Sequence, residues 1–92
     1  MNDSKIIVTV SGQDKTGIVA GISAILAEYK VNIEDIRQSI MQDQFVMFLM
    51  ADISNSKASY KELKQALLDK CEELGMEIWV QRKAIFDKMH TI

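Results

Sequence analysis

Between an apolar alternating segment and an apolar helical one, the chain reads Gly12-Gln13-Asp14-Lys15-Thr16-Gly17-Ile18-Val19-Ala20-Gly21. A polar glycine loop that opens a helix presents free backbone N–H groups, and a glycine there lets a ligand approach the main chain. That combination suits a small anion such as a carboxylate. A second feature follows at Val31-Asn32-Ile33, where a lone Asn opens the next strand. No other segment looks as much like a binding site.

The remaining reactive residue types carry less. Cys71 lies on a helical apolar stripe and reads as a small core residue rather than a nucleophile. His90 is the one histidine and sits close to the C-terminus; a Cys71–His90 catalytic pair has no supporting motif. Glu34-Asp35 precedes an apolar segment and reads as a solvated or bulge-associated acidic pair, not an acid/base dyad. The six methionines suggest an adaptable packing surface. Trp79 with Arg82 is one aromatic beside one cation, with no basic groove around it, so stacking on RNA is poorly supported.

The elements that must hold the loop follow from periodicity. Ile6, Val8 and Val10 alternate with Ile7, Thr9 and Ser11, which predicts a strand ending near Ser11. Ile18, Val19, Ile22, Ile25, Leu26 and Tyr29 recur at helical spacing, which predicts a helix over 15–30 with Asp14 or Thr16 as its N-cap. Gly17, Gly21, Ala20, Ala24 and Ala27 make a thin side that admits a close neighbour. A second strand over 31–41 carries a fault. Val31 and Ile33 are odd-numbered but Ile36 and Ile40 are even, so a bulge is expected near Glu34–Asp35. Gln42–Asp43 makes a tight turn. Phe45 to Met50 is apolar on both parities, as in a strand covered on both faces.

After a polar loop, Ser59 and Glu62 have the spacing of a capping box. Tyr60, Leu63, Leu67, Cys71 and Leu74 form a second stripe, and Gly75 ends that helix. Residues 76–84 make the last strand, with Met76, Ile78 and Val80 on one side and Trp79 on the other. Ile85, Phe86, Met89 and Ile92 suggest a short tail helix over 85–92. The order βαββαβ defines an α+β, ferredoxin-like domain: a four-stranded antiparallel sheet with two helices on one face. Residues 1–92 read as one such domain, with no linker.

Two helices on one face leave the other face open, yet the third strand is apolar on both sides. An exposed apolar face of that kind marks an interface. The expectation is a homodimer or higher oligomer; the alternative is that the tail folds back over the open face.

Totals exclude several classes. A net charge of -2 argues against a protein that neutralises nucleic-acid phosphates. One cysteine cannot form an intrachain disulfide, which fits a reducing, cytoplasmic setting. No apolar run approaches the roughly 18 residues of a membrane span, and the N-terminus lacks the pattern of a secretion signal. The first loop has no Cys-x-x-Cys for a metallochaperone, no arginine lies before Arg37 to hold a phosphate there, and Phe45 and Phe48 fall on opposite faces. No metal, cofactor or catalytic constellation is indicated.

The chain resembles an ACT domain, the ligand-sensing module attached to many enzymes of amino-acid metabolism. The residues that carry the resemblance are Val8-Thr9-Val10, Gly12 to Val19, and Val31-Asn32-Ile33. With Asp14-Lys15-Thr16-Gly17-Ile18-Val19-Ala20-Gly21 and Ala84-Ile85-Phe86, the chain is most similar to the free-standing bacterial UPF0237 proteins of that family. The resemblance implies a regulatory module, not an enzyme, whose effector binds between two subunits. It implicates Gly12, Asp14, Lys15, Thr16 and Gly17 of the loop and Asn32 and Ile33 of the second strand. The implied ligand is an amino acid. Backbone N–H groups meet its carboxylate, Asn32 donates and accepts, and Asp14 accepts from its ammonium. Two departures stand out. Thr16 occupies a place where many ligand-binding members have Pro, and Asp14 one where several have Asn. A ligand-free structural module, docking a partner protein through its apolar sheet face, is the alternative.

Overall fold

The computed structural model describes residues 4–89, and Met89 through its backbone alone. Seven elements follow one another: β1 Lys5–Gln13, α1 Ile18–Glu28, β2 Asn32–Met41, β3 Gln44–Asp52, α2 Tyr60–Leu74, β4 Glu77–Arg82 and α3 Lys83–Met89. The four strands form one antiparallel sheet in the order β2-β3-β1-β4. The fold is the α+β, ferredoxin-like arrangement that the element order predicts.

The alternation of each strand decides what it buries. Ile6, Val8 and Val10 of β1 face α1 and α2, as do Phe45, Met47, Leu49 and Ala51 of β3 and Val80 of β4. Ile18, Ile22 and Leu26 of α1 and Leu63, Leu67 and Cys71 of α2 close over them. This one layer is the core, and every member is apolar. Gly21 lies where the two helices meet, and a Cβ there would make ordinary contact, 3.4 Å, with Leu74 Cδ1.

Ser59 caps α2 as its spacing predicts. Its hydroxyl accepts from the Glu62 N–H at 3.1 Å, and the Glu62 carboxylate accepts from the Ser59 N–H at 3.1 Å. Gly75 ends the helix in the left-handed conformation, φ +72°.

Several boundaries differ from expectation, among them the last strand, which is Glu77–Arg82 rather than 76–84, and the end of α1, at Glu28 rather than residue 30. β1 runs to Gln13, past Ser11, because Gly12 and Gln13 stay paired with Phe45 and Gln44 of β3. The ladder extends through polar residues that the apolar alternation does not reveal. α1 begins at Ile18, not at residue 15, and its N-cap is Gly17, with neither Asp14 nor Thr16 capping it. Gly17 has φ +91°, which breaks the helical path, so 14–17 stay in the loop. The tail helix starts at Lys83, directly after β4, and residues 90–92 lie outside the described residues.

The bulge in β2 is where the parity change places it. Ile33 pairs with Ala51 and Asp35 with Met50, leaving Glu34 as the extra residue. Ile33, Ile36 and Ile40 thereby share the helix side of the sheet. Helix cover does not extend over this outer strand, and every residue of β2 is exposed.

The open face is partly covered. α3 lies against β1 and β4, and Phe86 lines a groove of about 250 Å³ with Ile7, Phe48 and Met50. Ile7 is buried on this face. Phe48 and Trp79 keep 46% and 53% of their surface.

Candidate functional site

The glycine loop is held from two sides. The Asp14 N–H donates to the carbonyl of Asp43 in the β2–β3 turn at 2.7 Å. That turn is tight because Gln42 adopts φ +59°, a left-handed conformation uncommon for a residue other than glycine. On the other side, Gly12 packs against Met76: a Cβ on Gly12 would lie 2.8 Å from the Met76 sulfur. Gly12 is therefore small for packing.

Gly17 differs. Nothing lies within 4 Å of a Cβ built on it, so the loop is open to solvent at this point. The first helical hydrogen bond runs from the Gly21 N–H to the Gly17 carbonyl at 2.9 Å. The N–H groups before Gly21 have no helical partner, no side chain caps them, and the first turn carries no acidic residue. This end of α1 is an uncapped positive pole beside the exposed Asp14 and Thr16. Lys15 is exposed too, but its ammonium turns toward Gly75 at the C-terminus of α2, 3.0 Å from where a Cβ would stand.

Asn32 and Ile33 are elsewhere. At one end of the sheet Gln13 pairs with Gln44 and Gln44 with Met41; at the other Lys5 pairs with Asp52 and Asp52 with Asn32. A nine-residue strand separates the ends, roughly 27 Å at the usual rise. One chain brings Gly12, Asp14, Lys15, Thr16 and Gly17 together and leaves Asn32 and Ile33 at the far end.

The Asn32 end has its own electrostatics. Lys5 forms ion pairs with Glu34 and, at 3.4 Å, with Asp52. The Ser54 N–H donates to Asp52 at 2.8 Å. This backbone donor, with Ser54 and Ser4 side chains and Lys5 behind it, holds the Asp52 carboxyl down at about 2. Glu34 raises the pKa of Lys5. The Glu34-Asp35 pair is thus divided: Glu34 turns to Lys5, and Asp35 lies 3.7 Å from Arg37.

Cys71 is buried in the core, and burial pushes its thiol up to about 11. It is protonated at neutral pH. His90 lies outside the described residues. Among the described residues no cluster of His, Cys, Asp and Glu could hold a metal ion, and no helix is long and apolar enough to cross a membrane. The Asp43 contact to the loop went unseen in the sequence, because the pairing that brings the β2–β3 turn to β1 is long-range. The tight turn at Gln42–Asp43 was its one local sign.

The βαββαβ sheet with a glycine loop opening its first helix has counterparts among known proteins, in sequence and in structure. The chain belongs to the ACT domain family, whose sequence profile matches residues 4–81. It is 51% identical over 89 residues to a UPF0237 protein of Methanocaldococcus jannaschii, covering 97% of this chain and 99% of that one. Among solved structures it is similar to an ACT domain protein from Streptococcus pneumoniae: 35% identical, 99% of each chain covered, TM-score 0.78. The regulatory subunit of aspartate kinase from Thermus thermophilus shares the fold, with TM-score 0.67, 21% identity, and coverage of 87% of this chain and 52% of that one.

Proposed function

We propose that this chain is a non-enzymatic, cytoplasmic regulatory module that forms a homodimer and binds a small effector, an amino acid, near the subunit interface. The observation that carries this reading is the separation of the two halves of the site. The uncapped start of α1 is suited to a carboxylate, and Asn32 is suited to a group that both donates and accepts. They stand at opposite ends of one sheet. A second copy turned end for end brings its Asn32 and Ile33 toward the loop of the first. The effector site then exists only in the dimer, and ligand binding is linked to association.

In this reading Gly17, Thr16 and the first N–H groups of α1 hold the carboxylate, and Asp14 takes the ammonium. Gly12 and Lys15 shape the loop from behind, against Met76 and Gly75. The shared fold with a regulatory subunit of aspartate kinase is consistent with such a role.

The test is mass by light scattering together with melting temperature, with and without pools of amino acids. A dimer whose melting temperature rises with one pool supports the proposal, because a ligand of the folded state stabilises it. A dimer indifferent to all pools, or a monomer, overturns the effector site.

A second reading has its own observation. Phe48 and Trp79 remain exposed on the open face despite α3, so a partner protein seated there is the alternative. It predicts a stoichiometric complex that survives changes at Asp14 and Asn32 and is lost with Phe48→Asp.

A further inference from the structure

The groove on the open face has a floor and a rim of different chemistry. Directly opposed residues of neighbouring strands share a face. Asp35 is opposite Met50, and Met50 is opposite Ile7; one row on, Arg37 is opposite Phe48. Both rows turn away from α1 and α2, because Met47 and Leu49, which alternate with Phe48 and Met50, belong to the core. Ile7, Phe48 and Met50 floor the groove, Phe86 of α3 walls it on one side, and Asp35 and Arg37 of β2 rim it on the other. Phe48 stays exposed although β3 is an inner strand of the sheet.

The Arg37 guanidinium is the group that the fold leaves unused. Its Nε stands 3.7 Å from the Asp35 carboxylate, too far for a hydrogen bond. Among the described residues this is its one polar contact. Asp35 approaches from the Nε side, which leaves the two Nη groups to grip a carboxylate through paired hydrogen bonds. Beside that fork lie two aromatic rings and the Met50 thioether, surfaces on which a flat apolar body packs well.

We propose that this groove is a binding site for a small aromatic carboxylate, its ring against Phe48 and Phe86 and its carboxylate on Arg37. The cavity sets the size. About 250 Å³ falls below the roughly 300–1,000 Å³ of sites for drug-sized ligands, which leaves room for one ring and a short acid-bearing arm. A ligand this small in an open groove binds in roughly the millimolar range. Arg37 keeps 80% of its side-chain surface, so its share of the affinity falls as salt rises. The site stands apart from the glycine loop, which leaves β1 at Gln13, and neither site needs the other.

Phenylacetate titrated into the isotope-labelled full chain should shift the backbone amide signals of Ile7, Arg37, Phe48, Met50 and Phe86 and leave those of Asp14 to Gly17 in place. Phenylacetamide, its uncharged isostere, should bind roughly tenfold more weakly, the loss expected for one charge-assisted contact. Phenylacetate should lose a similar factor against Arg37→Gln. Arg37 is exposed on an edge strand, and signals unchanged away from the groove verify that the variant keeps the fold. Equal binding of the acid and the amide, or of wild type and Arg37→Gln, overturns the carboxylate site. Shifts confined to the glycine loop overturn it too. So does the absence of any shift, which is the result a second copy or a partner protein seated over Phe48 would give. The effector site of the glycine loop is tested by the amino-acid pools, so either site can fail while the other stands.

Discussion

Lys15, in the loop after β1, reaches the C-terminus of α2, where a Cβ on Gly75 would lie 3.0 Å from its Nζ. The last turn of α2 holds no basic residue of its own, so a cation borrowed from a distant loop sits at the negative end of that helix. Lys15→Met should lower stability by about 0.3–1 kcal/mol at low salt. The deficit should shrink as salt is added, as read by urea unfolding. Gly75→Ala should cost about 1–2 kcal/mol for the left-handed backbone alone, and Lys15 must also move aside.

Gly12 and Met76 form a second coupled pair. Gly12→Ala sets a methyl 2.8 Å from the Met76 sulfur and should destabilise by about 1–3 kcal/mol. Met76→Ala alone opens a gap. The double variant should be more stable than the sum of the two losses predicts, a coupling that a double-mutant cycle on unfolding free energies measures.

Asp52 makes the fold sensitive to acid. Its carboxyl is held at about 2, below the ordinary 3.8, so the folded state favours its ionised form. The stabilisation is present above about pH 4 and is lost as pH falls toward 2. A melting-temperature series on wild type and Asp52→Asn should show the two converging over that window and standing apart above it.

Cys71 acts at the other extreme. Burial raises its thiol from 9.0 to about 11, so unfolded chains lose this proton before folded ones do. Stability should fall as pH rises from about 9 to 11, and Cys71→Ala should flatten that fall at the cost of a small cavity. Alkylation by iodoacetamide at neutral pH should follow global unfolding rather than precede it.

Tyr60 ties the start of α2 to the end of β4. Its hydroxyl donates to the Val80 carbonyl at 3.1 Å, and the Arg82 guanidinium lies 4.4 Å from its ring centroid. Tyr60→Phe should lower stability by about 0.5–1.5 kcal/mol by calorimetry, with the ring contact to Arg82 kept.

Much of this was legible in the chain. The Ser59–Glu62 box, the stop at Gly75 and the parity change in β2 each depend on residues within a few positions of one another, and local physics settles them. The start of α1 was misplaced because Asp14 and Thr16 are good capping types, whereas the backbone at Gly17 and the Asp14–Asp43 hydrogen bond decide the boundary. Loop residues 12–17 were legible as a candidate site. Their distance from Asn32 was not, because it follows from the pairing of β1, β3 and β2 across the sheet. The same pairing gives Lys15 and Gly12 their neighbours, which no sequence spacing shows.

Glu34 gives β2 an unusual tolerance to shortening. It is the extra residue opposite the step from Met50 to Ala51, so a chain lacking it would leave Ile33 and Asp35 in their present rows on their present faces. Loss of Ile36, Gln38 or any other single position inside the strand would invert one half of it relative to the sheet. In frame terms, β2 carries a spare letter at one place. A natural or engineered deletion there would forfeit the ion pair with Lys5 and straighten the edge, yet keep Asn32, Asp35 and Arg37 on the same face.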